Sequence, residues 1–296
     1  MSGEASAEGA SGETVPAAAP GHFPVIPGTR VEVVSQPARG RIRHVLLDFD
    51  GTVSCLRDGW QDFMVPMMVD VLEQCPRHES REELEGIVRN FVDHLTGKQT
   101  IYQMIRLAEE VARRGGHPRD PLEYKREYHR QLMGHVEKRI ADLRSGRKRA
   151  DEFLVAGARQ CLEDLAGAGV RCYVASGTDL EFVKEEVGLL KLEPCFEGRV
   201  FGALANYKDF SKELVIRKIL ADFGLSGPEL LVIGDGYVEI QNGKDVGAVT
   251  WGVYTLESNR FHMNENKRER LVRAGAHLLS EDLTESREVL RYLGVR

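Results

Sequence analysis

The stretch Val45-Leu46-Leu47-Asp48-Phe49-Asp50-Gly51-Thr52 decides the reading of this chain. Three consecutive apolar residues predict a strand buried on both faces, as in a parallel sheet. The strand runs into two carboxylates one residue apart, then a glycine and a hydroxyl. In an extended chain, side chains two residues apart project to the same side, so Asp48 and Asp50 would leave the strand end together. The plain alternative is a solvated Asp-Gly turn, a common way to end a strand.

The surroundings of the other apolar runs separate these readings. Cys172-Tyr173-Val174-Ala175 precedes Ser176-Gly177-Thr178, and Leu230-Leu231-Val232-Ile233 precedes Gly234-Asp235-Gly236. Ala248-Val249-Thr250-Trp251 is a further continuous run. Helical periods separate or flank these runs, over about 152–168, 180–189, 212–223 and 264–274. Strand and helix in alternation predict right-handed crossovers and an α/β, doubly wound, Rossmann-like sheet with helices on both faces, a three-layer core. Ligands of open α/β sheets bind beyond the carboxyl ends of the strands, which is where Asp48, Asp50, Ser176 and Asp235 fall.

Outward from this core the composition changes twice. Residues 1–28 are mostly Ala, Gly, Ser, Glu and Pro and read as a disordered tail. Residues 57–149 carry apolar positions at spacings of three and four, as in Trp60, Phe63, Met64, Met67, Met68, Val71 and Leu72, and predict an inserted all-helical cap domain. Residues 29–56 and 150–296 then form the catalytic core, with a short edge strand within Arg30–Gln36.

The net charge of −6 argues against nucleic acid, which needs a basic surface. No stretch approaches the roughly 18 apolar residues of a membrane span, and the N-terminus lacks the pattern of a signal peptide. The five cysteines form no paired framework, so a reduced, cytoplasmic setting is expected. Histidines lack metal-ligand spacing, and neither a dinucleotide fingerprint nor a P-loop is present, so no nucleotide cofactor is implied.

Paired carboxylates on one strand end suit phosphoryl transfer: one as nucleophile, one as proton carrier. A hard cation such as Mg²⁺ prefers oxygen ligands, which makes Asp235 a natural ligand. Backbone N–H groups near Ser176 can hold phosphoryl oxygens, and a lysine can neutralise developing charge.

Asp48-Phe49-Asp50-Gly51-Thr52, Ser176-Gly177-Thr178, a lysine at a helix head and Gly234-Asp235-Gly236-Tyr237-Val238-Glu239 resemble the four ordered motifs of the haloacid dehalogenase (HAD) superfamily of Mg²⁺-dependent phosphohydrolases. The resemblance spans about 41–293, with the helical insertion where phosphoglycolate-phosphatase-like members carry a cap. It implies Asp48 as nucleophile and Asp50 as general acid and base. It implies Mg²⁺ on Asp48, the main-chain carbonyl of Asp50 and Asp235, and Ser176 with Gly177 and Thr178 on the phosphoryl group. Glu239 stands where aspartate is common, at the metal directly or through water. The lysine is Lys212 or Lys208; Lys212 is favoured because it begins the helix leading into the Leu230 strand.

Arg57 and Trp60, where the chain leaves the core, are candidates to close over substrate, against the alternative of plain helix core. Gly97-Lys98-Gln99-Thr100 reads either as a loop reaching down to the site or as one helix end followed by the next start. The run Arg260–Arg270 carries enough charge to border the site, but no physical argument places it there. The expected function is a phosphatase for a small phosphorylated metabolite such as a sugar phosphate. The rivals are a phosphomutase similar to β-phosphoglucomutase and a non-catalytic binding or regulatory protein that kept the fold.

Overall fold

The computed structural model describes residues 23–256 and 259–295. Most of the expected tail, residues 1–22, therefore lies outside the described residues. Phe23–Gly28 do not: Val25 bridges Glu32 and Ile26 is buried, so the folded body begins upstream of residue 29.

Among the described residues there are nine strands: β1 (Glu32–Val33), β2 (His44–Leu47), β3 (Arg171–Asp179), β4 (Val200–Ala203), β5 (Leu230–Gly234), β6 (Val249–Val253), β7 (Thr255–Leu256), β8 (Asn259–Met263) and β9 (Leu278–Ser280). Seven form one sheet in the order β1-β9-β6-β5-β2-β3-β4, parallel apart from β1, which pairs antiparallel with β9 at the edge. The strands β7 and β8 form a separate antiparallel pair.

The opening stretch is the middle of the molecule. β2 lies between β3 and β5, and its four residues are all buried. Its alternate residues feed opposite cores. Val45 and Leu47 pack in a cluster with Leu162, Leu165, Val183, Val187 and Leu290, whereas Leu46 packs with Tyr173, Ile216, Ile219 and Val232. The first face is covered by α5 (Ala158–Gly167), α6 (Leu180–Leu189) and α11 (Ser286–Leu293); the second by α8 (Lys212–Phe223), α9 (Tyr237–Asp245) and α10 (Glu265–Ala274). A four-residue α7 (Glu193–Phe196) precedes β4.

Between β2 and β3 the chain builds four helices, α1 (Gln61–Glu73), α2 (Arg81–Leu95), α3 (Thr100–Arg113) and α4 (Pro121–Arg144). They share an apolar cluster of their own, including Met64, Met68, Leu84, Val88, Met104, Leu107, Tyr128 and Leu132. The methionines of α1 are thus helix core, as the period predicts. Local signals set the ends: Ser80 and Glu83 form a reciprocal capping box, and Asp120 caps Leu122 N–H before Pro121 at the first helical position.

Two elements depart from the sequence expectation. The helix expected over 152–168 is broken into a 3₁₀ turn at Ala150–Phe153 and α5. The break is Gly157, at φ +79°, where a Cβ would stand 2.2 Å from the Leu283 backbone. The strand expected to stop at Ala175 continues to Asp179 through a register shift against β4, so Ser176, Gly177 and Thr178 lie on the irregular end of β3. No helix among the described residues is long and apolar enough to cross a membrane.

Candidate active site

Register alone assembles the site. Leu47 pairs with Val174 on one side and with Ile233 on the other, so Asp48, Ser176 and Asp235 emerge within two residues of one level at the carboxyl edge. The Asp48 N–H still donates to the Ile233 carbonyl at 2.9 Å, which fixes the start of the loop. Gly51, at φ +79°, then turns the chain, and its N–H donates to the Ser54 carbonyl at 2.9 Å.

The two carboxylates sit in different surroundings. Asp48 is buried, and its Oδ1 accepts from the Phe49 N–H at 2.8 Å and lies 2.9 Å from Lys212 Nζ. Burial pushes its carboxyl well above the ordinary carboxylate range; Lys212 pulls it down, while Glu239 and Asp235 push it further up. Asp50 Oδ2 instead accepts from the hydroxyls of Ser176, at 2.8 Å, and Thr178, at 3.1 Å. Its Oδ1 lies 4.0 Å from Arg57 Nε and has no hydrogen-bond partner among the described residues. Arg57 is in turn held by Glu186, with Nε donating to Oε1 at 2.8 Å. Burial lifts the Glu186 carboxyl to about 7 against the pull of Arg57.

Lys212 is the lysine that reaches the site. Ser211 caps its helix by accepting from Leu214 N–H, and the Lys212 ammonium bridges Asp48 Oδ1 and Glu239 Oε2, each at 2.9 Å. Lys208 lies exposed in a 3₁₀ turn upstream. Glu239 is almost wholly buried: its Oε1 accepts from the Gly236 N–H at 2.6 Å, so both oxygens are engaged. The glycines make room for it, since a Cβ on Gly234 would stand 2.2 Å from Glu239 Cγ. Asp235 Oδ1 accepts from Thr52 Oγ1 at 3.4 Å.

Oxygens of Asp48, Asp235 and Glu239 lie within 4.8 Å of one another, a buried set of hard donors that fits a divalent cation such as Mg²⁺. Glu239 spends both oxygens on Lys212 and Gly236, and Asp235 spends its two on Thr52 and Lys267, so a cation here must share or displace these partners.

Between these strand ends and the α1–α4 layer lies a cavity of about 390 Å³. Asp48, Asp50, Asp235 and Lys212 line it, together with Arg57, Trp60, Gly177 and Thr178. Ser176 does not line it: the side chain is fully buried and its hydroxyl faces Asp50, where the expectation was a phosphoryl contact.

The Gly97–Thr100 segment does reach down. Gln99 Nε2 donates to the Tyr207 and Phe210 carbonyls, both at 2.7 Å, and the Lys98 carbonyl lies against Gly177. A Cβ on Gly177 would stand 2.6 Å from that oxygen. Gly177→Ala is therefore expected to lower stability by about 1–3 kcal/mol by forcing the two backbones apart. Urea unfolding checks it, and unchanged stability would show that the loop is not seated there.

Sequence reasoning missed the contribution of α10. Asn264, Asn266, Lys267 and Arg270 all line the cavity, and Lys267 Nζ donates to Asp235 Oδ2 at 2.8 Å. The charged run was visible in the sequence, but nothing local to it shows that the helix head turns back over the sheet edge.

The sequence family of haloacid dehalogenase-like hydrolases matches residues 42–247. The chain belongs to this family. The match contains all four motifs and the helices α1–α4, and it ends before β6. No curated protein matches it. Among solved structures it is similar to a predicted phosphoglycolate phosphatase from Haemophilus somnus 129PT, with TM-score 0.56, 15% identity, and 84% of this chain and 98% of that one covered. It is also similar to β-phosphoglucomutase from Clostridium difficile, with TM-score 0.54, 11% identity, and 85% and 98% covered. A predicted phosphatase from Clostridium acetobutylicum gives TM-score 0.53, 17% identity, and 86% and 99% covered. At these identities the likeness is one of fold.

Proposed function

We propose that this haloacid dehalogenase-like hydrolase is a phosphatase that cleaves a small phosphorylated metabolite through a phosphoryl group carried on Asp48. The observation that carries the reading is the division of labour between two adjacent carboxylates. Asp48 faces an ammonium, and Asp50 faces hydroxyl donors.

In this reading the α1–α4 layer acts as a cap, and the ester enters the cavity beneath it with its phosphorus near Asp48. A carboxylate oxygen of Asp48 attacks phosphorus as the ester P–O bond breaks, and Asp50 gives its proton to the departing oxygen. Asp50 then takes a proton from the water that attacks the same phosphorus, and the bond to Asp48 breaks to release phosphate. Ser176 and Thr178 fix one oxygen of Asp50, leaving the other to exchange the proton. Lys212 offsets the repulsion between Asp48 and an anionic substrate. Asp48, Asp235 and the main-chain carbonyl of Asp50 would hold Mg²⁺, which supplies further charge neutralisation when bound. Gly177 and Thr178 meet the phosphoryl group, and Arg57 and Trp60 border the leaving group. A closed cap would exclude bulk water.

Phosphate release from a panel of phosphate monoesters, with Mg²⁺ and with chelator, tests this reading. The expected result is Mg²⁺-stimulated release on at least one small ester. Absence of release across the panel would sink it in favour of a non-catalytic role, and transfer of phosphate to a second position of the substrate would replace it by a mutase.

A further inference from the structure

Lys267 belongs to none of the four motifs, yet it occupies the centre of the site. It is the third residue of α10, and its N–H is accepted by the capping side chain of Asn264 at 3.1 Å. Its own side chain is 7% exposed and that of Asp235 is 6% exposed, with the ammonium 2.8 Å from Asp235 Oδ2. A buried ammonium is costly unless paired, so this contact is strongly determined.

The two lysines share the acidic cluster without overlap. Lys212 bonds Asp48 and Glu239; Lys267 bonds Asp235, the carboxylate that Lys212 does not reach. Among the described residues two ammoniums face the three carboxylates, so much of the cluster's negative charge is offset before any cation arrives. A divalent cation on Asp235 must then compete with an ammonium already there. Lys267 lines the cavity as well, so its ammonium has space to withdraw into.

We propose that Lys267 is an internal counter-ion that holds the divalent-cation position at Asp235 and sets the affinity for the cation. The inference rests on the reading of Asp48 and Asp235 as cation ligands. Whether the ammonium withdraws or stays beside the bound ion, its positive charge weakens binding of the second positive charge. In return it keeps Asp235 paired when no cation is bound.

The test is Mn²⁺ titration of the full chain without substrate, followed by calorimetry and by the electron paramagnetic resonance of free Mn²⁺. Lys267→Met is expected to bind Mn²⁺ about tenfold more tightly than wild type, and Lys267→Arg, which keeps the charge, to stay close to wild type. The melting temperature of Lys267→Met without cation should fall, and its rise on adding Mn²⁺ should exceed that of wild type. If the methionine variant does not fold, Lys267→Gln, neutral but still a donor to Asp235, is read in the same titration. Equal or weaker Mn²⁺ binding by the neutral variant overturns the inference while leaving the cation site intact. If wild type binds no Mn²⁺, or binds it as well after Asp235→Asn, the reading of the cation site itself fails and the inference falls with it.

Discussion

Asp48→Asn is expected to lower phosphate-ester turnover by about 10⁴-fold or more while leaving the fold in place. The amide matches the carboxylate in shape and can still accept the Phe49 N–H, so the loop after β2 keeps its anchor. What is lost is the nucleophile: a neutral amide oxygen cannot form the covalent intermediate on which the proposed reaction depends. Steady-state release of phosphate measures the effect, and circular dichroism shows whether the sheet survives. Turnover within about tenfold of wild type would rule out Asp48 as the attacking group. A large fall in kcat at unchanged secondary structure would leave the cap and Asp50 without a partner, as a covalent mechanism requires.

The parts of this site that are legible in the sequence are those whose placement is local. Asp48, Asp50, Ser176 and Asp235 each follow an apolar run within a few residues, and parallel pairing then brings the three strand ends to one edge. Lys212 is legible because Ser211 marks a helix start directly before it. Glu239 is only half legible. A glutamate three residues into a helix reads as a cap or as a solvated position, and its burial depends on Gly234 and Gly236 having no side chains in its path. The contact between Ser176 and Asp50 was not legible, because it depends on β3 continuing past Ala175 with a shifted register.

Long-range placement accounts for the rest. Lys267 is 32 residues from Asp235 and reaches it only because α10 packs back over α9 and β6. Glu186 meets Arg57 from a helix 129 residues away. Neither contact leaves a mark in spacing or period. The short edge strand Val200–Ala203 escapes for another reason: four residues are too few to show alternation.

Lys212→Met tests whether the buried lysine is structural as well as chemical, and it is expected to cost about 3–5 kcal/mol of stability at neutral pH. Methionine fills much of the volume, so the loss is mainly electrostatic. It strands Asp48 and Glu239, both buried and both within 4.8 Å of Asp235. The pH dependence gives the loss a sign. In wild type, pairing raises the Lys212 pKa, so its contribution is fully present below the ordinary lysine value and is lost only as pH rises through the raised one. Below that value the lysine itself stays charged, and its pairing weakens only where its carboxylate partners take up protons. In the variant, the upward push of burial on Asp48 is no longer opposed by Lys212, so the folded state binds protons that the unfolded chain has released. Stability of the variant must then fall as pH rises from the ordinary carboxylate range towards the raised value. Guanidinium unfolding at mildly acidic and mildly alkaline pH should show a larger deficit relative to wild type on the alkaline side. A deficit that is the same at both, or absent, would mean that Asp48 and Glu239 do not depend on Lys212 for their charge balance.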